Sequence, residues 1–385
     1  MKIAYIGFGH IDVSLPLLRN LGEGRGHEID YYILLSATAP LESVLDLRPH
    51  NLSHKIFSFE ESALLLPEWM TQYLRSRVRV SVGIYPNYKL YLPSSHFWFR
   101  SFCRMLSLQS YDLIHVSGVS TFMFHLLGDP RLRRVPKVIT IHDLTPHTGE
   151  ESWTRRLINP QMRLISHYTT ILHNQIDFRR VAAAGYRVYF VPFGVMDFFP
   201  MIEAAEVPNS DILFFGRISP YKGIPDLLAA FGMLRSENPS LRLCIAGPGD
   251  LNTENVELND GIHLINRYVT VEELSGLISN TRVVVCPYRD ATQSAVLATA
   301  HAFGKATIVT NVGGFNDVIT DGVNGILVPP FSPLALSQGI EILLDDQFRQ
   351  KIERNIVSFY QRGRFSWANI ATEYESIYRG LLCGN

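Results

Sequence analysis

Short apolar runs rich in β-branched residues alternate with longer amphipathic segments along almost all of the 385 residues. The apolar runs before residue 200 are KIAYIGF, IDYYILL, DLIHVS, KVITIHD and YTTILH, and those after it are DILFFGR, LRLCIAG, GIHLINR, RVVVCPY, ATIVTN and GILVPP. Strands that are apolar on both faces and alternate with helices are typical of parallel sheets covered on two sides. The pattern therefore predicts an α/β fold.

The alternation restarts after the proline-containing turn VPFGVMDFFP (residues 191–200). A chain of this length accommodates two domains of ordinary size. We therefore expect two doubly wound, Rossmann-like domains with a cleft between them. Ligands in such folds bind at the carboxyl ends of the strands, so the functional site is expected in that cleft.

Composition excludes several classes of protein. The formal net charge of −1 argues against nucleic-acid binding driven by bulk basicity. The four cysteines are far apart and form no CxxC motif, which argues against a disulfide framework or a zinc site and fits a reducing compartment. The chain starts directly with a strand pattern and contains no run of 18 apolar residues. We therefore expect a cytoplasmic protein.

The first candidate site is the turn GFGHID (residues 7–12), which follows the opening strand. Gly7 and Gly9 leave room for a ligand at the backbone, and the next helix offers its N-terminus to an anion. As a dinucleotide fingerprint the turn is incomplete, because Asp12 replaces the third glycine. Asp30 lies at about the chain distance expected for a ribose contact. NAD(P) binding and a tight turn without a ligand therefore both stay open.

The second candidate site is GRISPYKG (residues 216–223), directly after the predicted strand DILFF. Gly216 ends the strand, and Arg217 and Lys222 place two cations at its carboxyl end. Arginine binds phosphate oxygens through two donors, and lysine adds a compact charge. The motif favours binding of a diphosphate leaving group, and the alternative is a solvated basic loop.

The third candidate site lies between the runs RVVVCPY and ATIVTN, where a polar loop leads into a helix of small residues. The helix is expected to begin near Gln293. The backbone N–H groups of Gln293, Ser294 and Ala295 would then face a phosphate at the helix N-terminus.

The fourth candidate site is HDLTPH (residues 142–147), at the end of the run KVITI. Histidine exchanges hydrogen bonds with sugar hydroxyls and titrates near neutral pH, so His142, Asp143 and His147 are candidates for the cleft. A structural role is the alternative for the histidines, and for His115 the two roles are equally open. No metal site is predicted, because the spacing supplies no third ligand.

The order of these motifs resembles the retaining glycosyltransferases of family 4, which have the GT-B fold. The resemblance rests on GRISPYKG, AGPGD, the strand ending in PY, and HAFGKATIVTNVGGFNDVITDGVNGILVPP. It extends to DLIHVSG, TIHDLTPH, VPFGVMDFFP and FSWANIATEYESIYRGLL, and so covers nearly the whole chain. It implies an acceptor-side domain over residues 1–197, a donor domain over 198–365, and a helix over 366–385 that crosses back to the first domain.

The resemblance implies transfer of a sugar from a nucleotide-diphosphate-sugar donor to a hydroxyl acceptor, with retention, in polysaccharide or glycolipid biosynthesis. It implies no cofactor and no metal, because Arg217 and Lys222 neutralise the leaving group, and Asp317 matches a glutamate after the Gly-Gly turn. The residues implied in catalysis are His142, Asp143, Arg217 and Lys222. The residues implied in donor binding are Gly7, Gly9, Gly216, Arg217, Lys222, Asp290, Gln293, Ser294, Ala295 and Thr299.

The chain departs from the family at the two glutamates that stand eight residues apart, because Ala291 and Thr299 occupy these positions. Asp290 lies one residue before the first position and is placed to substitute for it. The departure leaves open a catalytically degenerate GT-B scaffold. A second alternative, from another class, is an NAD(P)-dependent nucleotide-sugar oxidoreductase.

Residues 69–111 combine six basic residues and ten aromatic residues with no acidic residue. Anionic lipid surfaces attract basic clusters, and aromatic rings favour the headgroup level. This stretch predicts peripheral attachment to the inner face of a membrane, where a lipid-linked acceptor is presented. The alternative is that the aromatic residues pack the core while the cations form a solvated face.

Overall fold

The computed structural model describes residues 1–384 except 39, 43, 49, 51, 76, 88, 90, 121, 143, 145–159, 251–260 and 292–293. Within these residues two large parallel sheets form, one in each half of the chain, together with a small antiparallel pair. The predicted α/β class is therefore confirmed.

The first sheet has seven strands in the order β5-β2-β1-β6-β7-β8-β9. Alternate residues of β1 enter two different apolar clusters, Ile3 and Tyr5 on one face and Ala4 and Ile6 on the other. The sheet is therefore covered on both sides, as the continuous apolar runs predict. Its strands are β1 (Lys2–Gly7), β2 (Glu28–Ser36), β5 (Val78–Tyr85), β6 (Leu113–Ser117), β7 (Lys137–Ile141), β8 (Thr169–Leu172) and β9 (Val188–Phe190). The short pair β3 (Leu41–Glu42) and β4 (Leu45–Asp46) lies beyond β2 in the chain.

The second sheet has six strands in the order β12-β11-β10-β13-β14-β15. It alternates in the same way, with Ile212 and Phe214 in one cluster and Leu213 and Phe215 in the other. Its strands are β10 (Ser210–Phe215), β11 (Leu243–Ala246), β12 (Ile262–Ile265), β13 (Thr281–Cys286), β14 (Ala306–Thr310) and β15 (Ile326–Val328).

Helices connect the strands of both sheets. Those in the first half are α1 (Ile11–Arg19), α2 (Phe59–Ala63), α3 (Glu68–Leu74), α4 (Pro93–Ser107), α5 (Met123–Gly128), α6 (Pro160–His167) and α7 (Gln175–Ala183). Those in the second half are α8 (Ile224–Glu237), α9 (Val271–Ser279), α10 (Ala295–Ala302), α11 (Phe315–Val318), α12 (Pro333–Leu344), α13 (Asp346–Arg362) and α14 (Trp367–Leu382).

The last helix, α14, packs against the first half of the chain. The Trp367 indole N–H donates to the Val195 carbonyl at 2.7 Å, and the Tyr378 hydroxyl lies 2.5 Å from Nδ1 of His115. Tyr374 and Tyr378 are buried in the same apolar cluster as Tyr5 of β1. The helix is therefore part of the core beside the first sheet.

The carboxyl edges of the two sheets face each other. The Gln175 backbone N–H, just after β8, donates to Oδ2 of Asp317, which follows β14, at 3.4 Å. Within the described residues, the first loop after β1, His142 after β7, Arg217 after β10 and Asp290 after β13 all follow the carboxyl ends of strands of these two sheets. The cleft between them is where the motifs converge.

Candidate active site

The loop after β10 is held in a tight turn by glycines. Gly216 has a φ of 107°, and its N–H donates to the Ala246 carbonyl at 2.9 Å. A Cβ on Gly247 would lie 2.1 Å from the Gly216 carbonyl oxygen, so the ends of β10 and β11 approach more closely than other residues allow. Arg217 follows directly and is exposed at the carboxyl edge.

Lys222 has a different environment from Arg217. Its side chain is only 8% exposed, and Nζ lies 3.7 Å from the ring centre of Tyr288 and 5.0 Å from that of Tyr221. The ammonium group is thus held by the negative faces of two aromatic rings. The alternative of a solvated basic loop is wrong for Lys222, because the residue is buried in the short 3₁₀ helix Pro220–Lys222.

Gly223 allows the loop that carries Lys222 to pack against the end of β13. It has a φ of 69°, and a Cβ there would lie 1.9 Å from the Pro287 carbonyl oxygen. The Arg289 N–H donates to the Tyr221 carbonyl at 2.7 Å, and the Arg289 guanidinium binds both carboxylate oxygens of Asp226 at 3.0 Å. Arg289, which the sequence analysis did not single out, thereby clamps the two loops together.

Ala291 lies in the loop from β13 to α10 and Thr299 within α10, the two positions where the sequence resemblance implies paired glutamates. Ala291 is 4% exposed, and its carbonyl oxygen lies 1.5 Å from where a Cβ on Gly313 would stand. Ser294 caps α10, since its Oγ accepts from the Leu297 N–H at 3.3 Å. Ala295 is exposed at the first turn of the helix, whereas Thr299 is 3% exposed within it and offers a ligand little surface.

Asp290 is half-buried in the same loop. Asp143, His147 and Gln293 lie outside the described residues, so their predicted roles are not addressed by the structure. Among the described residues no group of three His, Cys, Asp or Glu side chains is arranged to hold a metal ion.

On the facing edge, His142 lies at the end of β7. Its Nε2 and the Ser117 hydroxyl are hydrogen-bonded at 3.0 Å, and its ring stacks on that of His10 with 4.0 Å between centroids. Burial first, and then the charges of His10 and His173, hold the pKa of His142 well below its usual range. His142 is therefore a neutral imidazole near neutral pH, suited to hydrogen bonding with a hydroxyl.

His115 is a structural residue. It is fully buried, and its two ring nitrogens are bonded to the Tyr378 hydroxyl and to the Thr140 hydroxyl at 2.8 Å. Burial, followed by the charge of His173, lowers the pKa of His115 to about 3. Of the two roles that the sequence leaves open for His115, the structure therefore shows the buried, structural one.

The first loop lies beside His142. The Phe8 N–H donates to the Ser117 carbonyl at 2.9 Å, and Gly9 has a φ of 80°. Gly7 is buried, and a Cβ there would lie 3.1 Å from the Tyr31 hydroxyl. The loop thus covers the carboxyl end of β1 with backbone rather than side chains.

Glu42 also lies at this loop and was missed by the sequence analysis. Its Oε1 lies 3.2 Å from where a Cβ on Gly9 would stand. Burial, followed by the charge of Asp12, raises the pKa of Glu42 to about 7. No motif marks this residue, because it reaches the loop from the short strand β3 through tertiary structure alone.

Asp30 does not support dinucleotide binding. Its Oδ1 accepts from Arg79 at 2.7–2.8 Å and its Oδ2 from the Tyr111 hydroxyl at 2.6 Å. It stands near the start of β2, at the edge of the sheet opposite the ligand-binding edge. The ribose contact that kept the NAD(P) alternative open is therefore absent.

Two family models match the chain. The model described as "Glycosyl transferase 4-like domain" matches residues 34–190, and the model described as "Glycosyl transferases group 1" matches residues 209–346. These ranges contain most of the first sheet and the whole of the second.

Relatives with names and a solved structure are also similar to the chain. A D-inositol 3-phosphate glycosyltransferase of Paenarthrobacter aurescens is 26% identical over 303 residues, 71% of this chain and 74% of the relative. A GDP-mannose:cellobiosyl-diphosphopolyprenol alpha-mannosyltransferase of Komagataeibacter xylinus is 23% identical over 288 residues, 71% and 72% of the two chains. The structure of Anabaena Alr3699/HepE in complex with UDP-glucose superposes with a TM-score of 0.65 at 17% identity, covering 99% of this chain and 100% of the other.

Proposed function

Because the chain belongs to the group 1 glycosyltransferases of the GT-B fold, we propose that it transfers a sugar from a nucleoside-diphosphate sugar to a hydroxyl acceptor with retention of configuration. One observation supports the donor assignment: two cations follow the carboxyl end of β10, Arg217 directly after the strand and Lys222 in the 3₁₀ helix that comes next. Across the cleft stand the first loop, with Gly7 and Gly9, and the neutral imidazole of His142. The first half then holds the acceptor and the second half the donor.

The proposed reaction is a front-face displacement. The bond between the anomeric carbon and the diphosphate oxygen breaks while the acceptor oxygen attacks from the same face, and the acceptor proton passes to the departing phosphate. Arg217 and Lys222 stabilise the negative charge that grows on the leaving group. His142 holds an acceptor or donor hydroxyl by a hydrogen bond, and the backbone N–H groups at the start of α10 face the phosphates.

Nucleotide binding and product stereochemistry test this proposal. Thermal unfolding with UDP, GDP and ADP identifies the base, because a ligand that binds only the folded state at 100 times its Kd adds about 2.7 kcal/mol of stability. UDP- and GDP-sugars are then supplied with a panel of glycoside acceptors, and the anomeric configuration of the product is read by NMR. Retention is expected, and an inverted product would contradict the displacement proposed.

A catalytically degenerate scaffold is a second candidate, favoured by the buried Ala291 in place of the first glutamate. Such a scaffold would bind the nucleotide without turning over the sugar nucleotide. Slow hydrolysis of the donor in the absence of acceptor, lost in an Arg217→Ala variant, argues for the enzyme. Nucleotide binding with no hydrolysis or transfer from any donor tested argues for the scaffold.

The structure narrows the set of residues in 69–111 that are available to bind a membrane. No helix in the described part of the chain is long and apolar enough to cross a membrane. Of the nine aromatic residues of 69–111 that the structure describes, six are buried, so core packing explains most of them: Tyr73, Tyr85, Trp98, Phe99, Phe102 and Tyr111. Arg75 and Arg79 are paired with Glu23 and Asp30, at the amino edge of the sheet.

Away from this amino edge, one face of α4 and described residues of the loop before it are exposed. Phe97, Arg100, Arg104 and Leu108 follow helical spacing and are exposed, with Phe97 at 70% and Leu108 at 77%. Tyr91 is 76% exposed, Lys89 lies 5.9 Å from its ring centre, and Phe124 of α5 adds a further exposed ring. We name this surface the α4 face and propose that it binds an anionic membrane that presents a lipid-linked acceptor.

Vesicle flotation tests the α4 face. Wild-type protein should float with anionic vesicles at low salt and less so at high salt, because surface charge is screened. A Phe97→Ser/Arg100→Ser/Arg104→Ser variant should remain unbound, whereas an Arg75→Ser/Arg77→Ser control should bind like wild type. Wild-type protein that stays unbound with anionic vesicles in excess would contradict the proposal.

A further inference from the structure

Three buried hydroxyl groups lie in a row that ends at His142, and the transfer reaction described above does not use them. They belong to Tyr5 of β1, Ser14 of α1 and Ser117 of β6, each at most 2% exposed, and we name them the hydroxyl row. The Ser14 hydroxyl lies 3.3 Å from that of Tyr5, which is also hydrogen-bonded to that of Ser117. The Ser117 hydroxyl lies 3.0 Å from Nε2 of His142. The row therefore connects the interior of the first half to the imidazole at the cleft.

The direction of these hydrogen bonds is fixed at the end of the row that lies in α1. The Ser14 hydroxyl donates to the backbone carbonyl of His10 at 3.0 Å, and a carbonyl oxygen can only accept. Because Ser14 has a single hydroxyl proton, Tyr5 must donate to Ser14. The same holds for the Tyr31 hydroxyl, which also interacts with Ser14. The proton of Tyr5 therefore points at Ser14 and away from Ser117.

The other protons of the row follow from this one. A Tyr5 hydroxyl that donates to Ser14 accepts from Ser117, so the Ser117 proton is used as well. The Ser117 oxygen then accepts from Nε2 of His142, which must carry a hydrogen. Burial holds the pKa of His142 well below its usual range, so the neutral ring has only this one proton. Nδ1 is left with a lone pair and no proton.

Nδ1 of His142 is also the nitrogen that a ligand can reach. It makes no hydrogen bond within the described part of the chain, yet it is not one of the buried polar atoms left without a partner there. His142 is half-buried directly after β7, and one face of its ring is stacked on His10. The edge of the ring that carries Nδ1 is therefore open at the cleft, and a bare ring nitrogen only accepts hydrogen bonds.

We propose that the hydroxyl row fixes His142 as the tautomer with its proton on Nε2, so that Nδ1 accepts a hydrogen bond from a hydroxyl of the bound sugar. Ser117, Tyr5 and Ser14 are then positioning residues. The proposal rests on the proposed function and defines the group that His142 takes. A sugar hydroxyl can donate to Nδ1, whereas a phosphate oxyanion or a carbonyl oxygen offers no proton. His142 thereby distinguishes the sugar from the diphosphate on the facing edge.

Nitrogen NMR of the ligand-free protein tests the tautomer directly. With nitrogen-15 in the histidine rings, protonated and bare ring nitrogens differ in chemical shift, and a His142→Gln variant identifies the His142 signals. We expect the proton on Nε2 in the wild-type protein. A His142 ring with its proton on Nδ1 would overturn the proposal.

Two variants test the role of the hydroxyl row. Tyr5→Phe removes the acceptor of the Ser117 proton, so Ser117 can donate to Nε2, and the fraction of His142 with its proton on Nδ1 should rise. Ser117→Ala removes the partner of Nε2 and should give a mixture of both tautomers. Ser81→Ala is the matched control, because Ser81 is also buried on a strand of the first sheet but donates to the Phe57 carbonyl. A tautomer unchanged in Tyr5→Phe, which keeps the ring in place if Ser117→Ala does not fold, would overturn the role of the row.

The same nitrogen signals test contact with the ligand. UDP-glucose, GDP-mannose and the methyl glycosides of glucose, mannose and galactose supply sugar hydroxyls, whereas sulfate supplies oxygens that only accept. We expect at least one of the sugars to shift the Nδ1 signal and sulfate to leave it unchanged. No shift with any of the sugars, or the same shift with sulfate, would overturn the hydroxyl contact.

Rates and nucleotide binding separate this proposal from the proposed function. Turnover should fall about two- to tenfold in Tyr5→Phe and Ser117→Ala, the range that one neutral hydrogen bond is worth. The nucleotide-induced rise in melting temperature should be the same in wild type and both variants. A wild-type protein with no such rise for any nucleotide contradicts the proposed function. Intact nucleotide binding with the proton of His142 on Nδ1 contradicts the role of the hydroxyl row alone.

Discussion

We propose that Lys222 acts both in the fold and on the leaving group, whereas Arg217 acts on the leaving group alone, and replacing each residue tests this difference. Lys222 is buried against the rings of Tyr288 and Tyr221, whereas Arg217 is exposed. Lys222→Ala should therefore lower both stability and activity. Arg217→Ala should lower activity alone.

The magnitudes follow from these environments. A desolvated cation–π contact contributes about 2 kcal/mol. For a domain of this size each kcal/mol corresponds to roughly 2–4 °C in melting temperature, so Lys222→Ala should melt roughly 4–8 °C lower. Loss of one charge-assisted contact in the transition state costs about 2–4 kcal/mol, or roughly 30- to 1,000-fold in rate, for either residue. An exposed substitution such as Arg217→Ala should change stability by less than about 0.5 kcal/mol.

The assay combines thermal unfolding with initial rates of donor turnover, both measured on the same preparations. Lys351→Ala, an exposed lysine on α13, serves as the matched control and should leave both quantities unchanged. A Lys222→Ala variant that melts like wild type would refute the structural role of the buried cation. A folded Arg217→Ala/Lys222→Ala variant with wild-type turnover would refute the diphosphate-binding role of this loop.

Three further predictions concern pH, backbone and metal. Burial raises the pKa of Glu42 to about 7, so the folded state favours the protonated form of Glu42 and loses stability as pH rises through that value. The urea midpoint of Glu42→Gln should therefore rise relative to that of wild type as the pH is raised from 5 to 8. Urea midpoints of the two proteins that change in parallel with pH would contradict this prediction. Gly223→Ala should lower the melting temperature strongly, because its Cβ would overlap the Pro287 carbonyl, whereas Gly232→Ala on α8, with open space around it, should match or exceed wild type. Sugar transfer should continue at an unchanged rate with excess EDTA. Activity that is lost with EDTA and restored by Mg²⁺ would show that Arg217 and Lys222 do not suffice to neutralise the leaving group.

The sheets could be predicted because strands covered on both faces leave continuous apolar runs in the sequence. β5 (VRVSVGIY) was not recognised, since it forms the edge of its sheet and its start alternates valine with the exposed Arg77 and Arg79. The glycine turn at Gly216 and the cations at Arg217 and Lys222 were found because they are close in sequence and follow a strand directly. Their different burial was not predictable, because it depends on Tyr288, 66 residues beyond Lys222.

The acceptor side was harder to read from the sequence for the same reason. His115 and His142 lie at similar apolar runs, yet His115 is hydrogen-bonded to Tyr378 of α14, whereas the ring of His142 stacks on that of His10. Glu42 and Tyr31 carry no motif, and only the fold brings them under the first loop. The aromatic residues of 69–111 could not be told apart by type, and within α4 helical spacing leaves Phe97 exposed while Trp98, Phe99 and Phe102 are buried.

The position of α14 has a consequence for biosynthesis. Domains of a nascent chain generally fold in order from the N-terminus. Here Tyr5 of the first strand shares its core with Tyr374 and Tyr378, almost the whole length of the chain away. The half that leaves the ribosome first therefore cannot close its core until the second half has been made. An internal translation stop anywhere before α14 would release a chain with that apolar surface uncovered, a substrate for chaperones and proteases.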